Sequence, residues 1–589
     1  MTRLSVWAPQ ARQVEVVFGD TRHEMRPEPR GYWQCDPPEL APGGDYAFSL
    51  DGGPPRPDPR SAWQPAGVHG PSRLVDHTSF AWSDAGFAPV PLSQAVFYEL
   101  HVGTFGRAGT FDGVVPHLDH LAALGVTHVE LMPVAAFPGK HGWGYDGVAL
   151  FAPHAPYGGP EGLRRLVDAC HARGLGVILD VVYNHLGPSG NYLAEYGPYF
   201  TDRYRTPWGA AVNLDAAHCD EARRFFLDNA VAWLAGYHVD GLRLDAVHAM
   251  VDTGATHFLE ELAAEVQAAA RRLGRCCLLI AESDLNDPRL VTAPDSGGYG
   301  LDAMWSDDFH HALHAVLTGE RGGYYEDFGT VAALAKAARE GVVYDGEYSR
   351  YRRRRHGRRA VGLQGQQLVV CCQNHDQIGN RARGERLGQL TDPESAMVAA
   401  AVVLTSQYVP LLFQGEEWAA SSPFLYFTDH REQELADAVR DGRRREFAAF
   451  GWRPEEIPDP QAADTFHRSR LIWDELGRQP HARVLAWYRS LLGLRRSERE
   501  LQAGAPGQAE VSFDEQRRWL LSRRGRFAMA CTLGPEQAAI PLPPPPAELL
   551  LDSSSRARIE DRTLHLPGRT AVVLRLAAGS ESNRVEVEP

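Results

Sequence analysis

The sequence predicts a multidomain α/β protein in which a (β/α)8 barrel carries an N-terminal β-sandwich and a C-terminal antiparallel β-domain. Three observations predict it. Short strand-like runs broken by Gly- and Pro-containing turns occupy both ends of the chain. Eight apolar strand runs alternate with amphipathic helices between them. The length of 589 residues allows three or four domains, or one large barrel with attachments, at roughly 100–200 residues per domain.

The segments LSVWAP, VEVVF, YWQCD and DYAFSL place the sandwich in residues 1–90. The irregular stretch GGPPRPDPRSAWQP at 52–65, with GVHGPS at 67–72, suits a wrap against the next domain. From Ala95 the strand candidates are AVFYEL, THVELMP, GVILDVV, GLRLDA, CLLIAE, DAMWSDD, LVVCCQNH and VPLLFQGEE. They put the barrel in residues 91–502, although counting alone leaves a doubly wound sheet open. In the unit Pro160 to Gly174, Leu163, Leu166, Val167 and Cys170 repeat at helical spacing, Pro160 suits the first turn, and Gly174 suits a left-handed end. Residues 183–215 lack long periodicity and read as a short excursion after the third strand, of the kind that borders a site. Helical spacing resumes at Phe226, Ala230, Trp233 and Leu234. RWLLSR, FAMACTL and AVVLRL, around the proline run 543–546, place the last β-domain in residues 503–589.

With 44% apolar and 23% charged residues, the chain has ample core. The 60 Lys and Arg against 75 Asp and Glu leave a net charge of −15, which repels nucleic acid and acidic membrane surfaces and favours a neutral or cationic partner. The longest apolar run, Met397 to Leu404, is far below the roughly 18 residues of a membrane-spanning helix. MTRLSVWAPQ has no basic segment leading into an apolar core, and the eight cysteines include two adjacent pairs that suit packed thiols. A cytoplasmic protein is therefore expected.

Chemistry concentrates at the ends of three strand runs. In DGLRLD, Arg243 and Asp245 share one face of a strand, and barrel architecture puts catalytic groups at the C-terminal ends of strands. A neighbouring arginine favours an ionised carboxylate, so Asp245 suits a nucleophile. CLLIAE delivers Glu282 to the same mouth, and the run ending QNHD delivers His375 and Asp376. Crowded carboxylates cannot all ionise cheaply, which suits Glu282 to proton donation. Each feature alone could be a structural ion pair at the rim. Three strand-end acids together point to glycoside chemistry.

DVVYNH at 180–185, DGLRLDAVH at 240–248, IAES at 280–283 and QNHD at 373–376 resemble, in order and spacing, the four motif regions of the α-amylase superfamily, glycoside hydrolase family 13. The resemblance implies a retaining glycosidase with Asp245 as nucleophile, Glu282 as acid/base and Asp376 as the transition-state-stabilising acid. It also implies that Arg243, His185 and His375 contact the sugar at the cleavage point and that Tyr145, in HGWGYDG, is the stacking tyrosine. AESDLNDPRL at 281–290, SRYRRRRHGRR at 349–359, FQGEEW at 413–418 and PFLYFTDH at 423–430 resemble the trehalohydrolase family within that superfamily. Its members cleave the α-1,4 bond beside the terminal trehalose of maltooligosyltrehalose, releasing trehalose and a maltooligosaccharide, and act after a maltooligosyltrehalose synthase. Asp284 and His248 join the implied substrate-binding set, although His248 lacks the Lys-His pair common at the end of the fourth-strand motif. A glycogen-branching enzyme, which would form α-1,6 branches, and a glucan-binding protein on a retired barrel are the alternatives.

Trp143, Tyr145 and Trp208 are candidates for stacking on sugar faces, while Tyr325 and Trp418 read as core. The basic run Arg352 to Arg355, with Arg358 and Arg359, reads as a solvated or locally paired loop in a chain of this charge. His310, His311 and His314 lack an acidic third ligand at metal spacing. Asn184 matches a position that binds calcium in many amylases, but the loop here is short and ligand-poor, so no metal is expected. No phosphate loop or dinucleotide fingerprint is present, so no cofactor is expected either.

Overall fold

The computed structural model describes residues 3–37, 40–206, 209–448, 453, 456–504, 509–543 and 547–577. Trp208 and residues 544–546 of the proline run lie outside the described residues. The eight strand runs form one closed parallel barrel, which resolves the choice between barrel and open sheet. Its strands are β1 (Phe97–Leu100), β2 (His128–Leu131), β3 (Gly176–Val181), β4 (Gly241–Leu244), β5 (Leu278–Ala281), β6 (Ala303–Trp305), β7 (Leu368–Val370) and β8 (Val409–Phe413).

Several strands are shorter than their apolar runs because a cap intervenes. After β6 the Ser306 hydroxyl accepts the Phe309 N–H and starts the helix Asp307–Thr318. After β7 the Asn374 side chain accepts the Gln377 N–H and starts the helix His375–Gly379. His375 and Asp376 therefore stand in the first turn of a helix. In the third unit, the helix Gly159–His171 has a proline in its first turn, and Gly174 beyond it adopts φ +74°.

Strand parity sorts the barrel interior. Phe97, Ile178, Ile280, Ala303, Trp305, Val369, Val409 and Leu411 form its apolar plug, whereas Leu242 and Leu244 face outward into the core shared with the helices. Nearer the C-terminal ends the inward positions turn charged. Arg243 stacks its guanidinium 4.4 Å above the Trp305 ring and reaches Asp180 across the β3–β4 register.

A second charged group closes the opposite end of the barrel. His171 lies between Asp84 (3.0 Å) and Asp240 (2.8 Å), and Asp240 also accepts the Val177 N–H. Asp84 further accepts His238 and Arg275, at 2.8 and 2.5 Å. Phe87 and Trp82 stack on His171 and His238. The segment between sandwich and barrel is thereby fastened to the barrel floor.

At the N terminus, Leu4–Trp7, Tyr32–Cys35 and Arg26–Glu28 form one antiparallel sheet. Thr21–Glu24, Val14–Phe18, Asp45–Leu50 and Ser72–Arg73 form the other. The Trp7 ring meets Tyr199 edge-on, and the Tyr32 hydroxyl donates to Glu221 at 2.5 Å, so this region packs on the excursion after β3 and the helix beyond it. That excursion contains the helix Leu193–Tyr196 and the strands Phe200–Thr206 and Gly209–Val212. The C-terminal strands form a five-stranded and a three-stranded sheet, both antiparallel.

Between β6 and β7 the basic run is carried by a hairpin, Asp345–Ser349 with Arg354–Gly357, that sequence periodicity did not reveal. Arg352 pairs with Asp284 at 2.8 Å and Arg355 donates to the Gly346 carbonyl, as local pairing requires. In the core His310 stacks on His314 and meets His311 edge-on, and His311 and His314 stack on Tyr324 and Tyr325. All eight cysteines are free thiols. Among the described residues, no helix is long and apolar enough to cross a membrane.

Candidate active site

Most of the predicted site residues meet at the C-terminal mouth of the barrel. Asp245 follows β4 directly. Its carboxylate accepts the Arg243 guanidinium at 2.8 Å and the Asn184 amide at 2.7 Å. Arg243 is fully buried. Its Nη1 also bonds both oxygens of Asp180, and its Nη2 stands 3.7 Å from Glu282. One guanidinium thus faces the acids that follow β4 and β5 and holds them to the barrel interior.

Glu282 has a second tether. Ala246, the residue after Asp245, adopts a left-handed conformation (φ +39°, ψ 51°), and its N–H donates to Glu282 at 2.5 Å. Burial drives the Glu282 carboxyl well above the usual carboxylate range. Arg243 pulls the other way, and the charges of Asp245, Asp307 and Asp376 push with burial. A protonated carboxyl beside an ionisable one is the division that acid-assisted displacement at an acetal carbon needs.

His375 is fixed from below. Its Nδ1 meets Glu99 at 2.5 Å, its backbone N–H donates to the same carboxylate, and its Nε2 meets the Tyr145 hydroxyl at 2.7 Å. Burial alone would discharge the ring, but Glu99 and Asp376 raise it to about 9, so it is cationic near neutral pH. As a cation it donates to Tyr145, which in turn donates to Asp180 at 2.6 Å. Burial and the Asp245 charge raise Asp180 to about 6 against the pull of Arg243. Asp376 presents a carboxylate that is 40% exposed toward the cleft and accepts the Asn380 amide at 3.1 Å.

The remaining predicted residues sort less evenly. His185 borders the site with both ring nitrogens engaged, by Asn184 at 2.5 Å and the Tyr145 carbonyl at 3.1 Å. Trp143 is 5% exposed, donates to the Leu425 carbonyl and stacks on Phe424 with its edge toward His375. It forms the wall that seats His375 and offers no open stacking face. Asp284 and His248 stand together at the rim rather than among the three acids. Burial would raise Asp284, but His248 and Arg352 hold it below its usual value. Asn184 directs its amide to Asp245, and among the described residues no group of three or more His, Cys, Asp or Glu could hold a metal.

Sequence reasoning gave no role to Glu99, Asp180, Asp307 or Asn380. Strand parity could have found Asp180, two residues beyond the inward Ile178, and Asp307, two beyond the inward Trp305. Asp307 has no hydrogen-bond or ion-pair partner among the described residues, and burial with Asp284 and Asp376 nearby raises it to about 7. Asn380, four residues beyond Asp376, could have been found by helical spacing.

Comparison with known proteins follows this geometry. The alpha-amylase catalytic-domain family matches residues 77–206, and a domain of unknown function (DUF3459) matches residues 506–573. The chain is 49% identical over 98% of its length to a malto-oligosyltrehalose trehalohydrolase of Arthrobacter ramosus, covering 99% of that protein. It is 44% identical to the enzyme of the same name from Saccharolobus solfataricus, covering 88% of each chain. A Salmonella typhimurium crystal structure superposes with a TM-score of 0.89 at 37% identity, covering 97% of both chains.

Proposed function

The chain belongs to the malto-oligosyltrehalose trehalohydrolase family of α-amylase-type glycosidases, and from that premise we propose how its residues divide the work. The substrate is maltooligosyltrehalose, and the α-1,4 bond beside its terminal trehalose is the one broken. The products are free trehalose and a maltooligosaccharide.

Asp245 attacks the anomeric carbon while Glu282 passes its proton to the departing trehalose oxygen. Glu282, now a carboxylate, then takes a proton from water that hydrolyses the glycosyl-enzyme, and the anomeric configuration is retained. Arg243 keeps Asp245 aligned. Asp376, His375 and Tyr145 bind the hydroxyls of the sugar being distorted, and the Asp284–Arg352–His248 rim faces the leaving trehalose. The single observation that supports this reading best is the shared Arg243 guanidinium, which bonds Asp245 and lies beside a Glu282 that burial keeps protonated.

The same proposal places the enzyme in the cytoplasm, which eight free thiols favour, after a synthase that builds the trehalose terminus. It divides the chain into a sandwich at 1–90, a catalytic barrel at 91–502 and a β-domain at 503–589. Incubation with maltotriosyltrehalose and, separately, with maltopentaose tests it. Free trehalose should appear much faster than maltose. Equal rates would indicate a general amylase, and α-1,6 branches would indicate a branching enzyme.

A further inference from the structure

We propose that Arg443, acting through Asn380, is a positioning residue for Asp376; this rests on the role given to Asp376 above. Arg443 belongs to the helix Gln433–Ala448, which follows β8 and supplies none of the barrel strands. Its guanidinium donates to the Asn380 side-chain oxygen at 3.2 Å and to the Gly379 carbonyl at 3.0 Å, and it lies 4.6 Å from the Tyr426 ring. Tyr426 meets Trp143 edge-on, so the same contact braces the wall behind His375.

A carboxamide has one accepting end and one donating end, and a guanidinium can only donate. Arg443 therefore fixes which end of Asn380 faces it and leaves the amide N–H for Asp376. Asn380 gives the one hydrogen bond to that carboxylate among the described residues. The His375 ring stands 3.5 Å away on one side. Asp307 and the Glu282 carboxyl face the carboxylate across the mouth, and Tyr145 and Tyr324 flank it. Without Arg443 the amide can turn its oxygen toward an anion, and a carboxylate that is 40% exposed has room to swing out of line. A misplaced catalytic group costs mainly turnover, since the substrate still binds.

The test is a double-mutant cycle in the full chain, reading kcat and KM on maltotriosyltrehalose. Asn380→Ala should lower kcat about 10- to 100-fold, the usual loss for a hydrogen bond to a charged group, with KM changed by less than about threefold. Arg443→Ala should lower kcat about tenfold, and the pair should be no worse than Asn380→Ala alone, because the arginine acts through the amide. Arg443→Lys, which keeps a donor, should recover most of the loss. Asn380→Ser, which keeps a small donor, gives the same cycle if the alanine variant does not fold. Multiplying effects, a loss confined to KM, or an Arg443→Ala enzyme with wild-type kcat would overturn the proposal. Every comparison is a ratio to the wild-type enzyme on one bond. A wild-type chain that fails to release trehalose would instead refute the substrate reading, and the cycle would be run on whichever glucan it cleaves.

Discussion

The two ends of β4 carry aspartates in opposite circumstances. Asp240, before the strand, belongs to the network at the barrel floor, where His171, the Val177 N–H, Asp84, His238 and Arg275 satisfy one another. Asp245, after the strand, belongs to a network left incomplete. Arg243 Nε and Nη2 lack hydrogen bonds, both oxygens of Glu130 are orphaned deeper in the barrel, and Asp307 has no partner among the described residues. The chemical groups are the same kinds at both ends. A saturated network stores stability, whereas an unsaturated one leaves polar groups to be completed by substrate.

Removing the acids proposed to be catalytic breaks this comparison hardest at the mouth. Glu282→Gln and Asp245→Asn should each lose at least about a thousandfold in turnover while unfolding no earlier than the wild-type enzyme. They should differ with α-maltosyl fluoride, whose leaving group needs little protonation. Glu282→Gln should form the glycosyl-enzyme and be accelerated by azide, and Asp245→Asn should do neither. Azide rescue of Asp245→Asn alone, giving a β-glycosyl azide, would mean the two roles are reversed.

At the floor the effect should appear in stability instead. Asp240→Ala leaves His171 and the Val177 N–H without their partner in a buried site and should cost about 3 kcal/mol in denaturant unfolding. Turnover per folded molecule should stay within about twofold. Loss of turnover without loss of stability would erase the distinction between the two ends.

Acid should also act first at the floor. Burial alone would raise Asp84, but hydrogen bonds from Arg275, His238 and His171 bring it down to about 2. Its folded value lies below its unfolded value of about 3.9. Its contribution, on the order of 2 kcal/mol, is therefore complete above about pH 4 and lost as pH falls toward 2. Asp84→Asn should flatten the stability curve in that window, and an unchanged slope would assign acid sensitivity to another group.

The smallest effect concerns the mouth. Glu282 must hold its proton to act as the acid, so activity should fall as pH rises through its elevated value. Asp307→Asn removes one of the charges that raise it, so the alkaline limb should move down by a few tenths of a pH unit. A limb that stays in place would show that Asp307 does not influence the acid.

Legibility in the sequence followed the range of the interactions. The eight strands were readable because burial on both faces leaves predominantly apolar runs, and the positions of Asp245, Glu282 and Asp376 because each stands just beyond one. The floor network was not, since residues 84, 171, 238, 240 and 275 converge only after four βα units have closed. The burial of Trp143 was hidden for a similar reason: Phe424, nearly 300 residues away in sequence, stacks on its ring. The basic hairpin hid its strands behind charge, because its outward residues do not alternate with apolar ones.

The left-handed turn at Ala246 bears on any attempt to make this enzyme build bonds instead of breaking them. A glycosynthase is obtained by deleting the nucleophile and supplying a glycosyl fluoride, and it still needs a working base opposite. Under the roles proposed above that base is Glu282, held by the main chain one residue beyond the deletion. Glycine at 245 would loosen the torsions on which the Ala246 N–H depends and let the base drift. Serine or alanine would keep the backbone restrained, so at this position the choice of small residue should decide synthetic yield more than the space it opens.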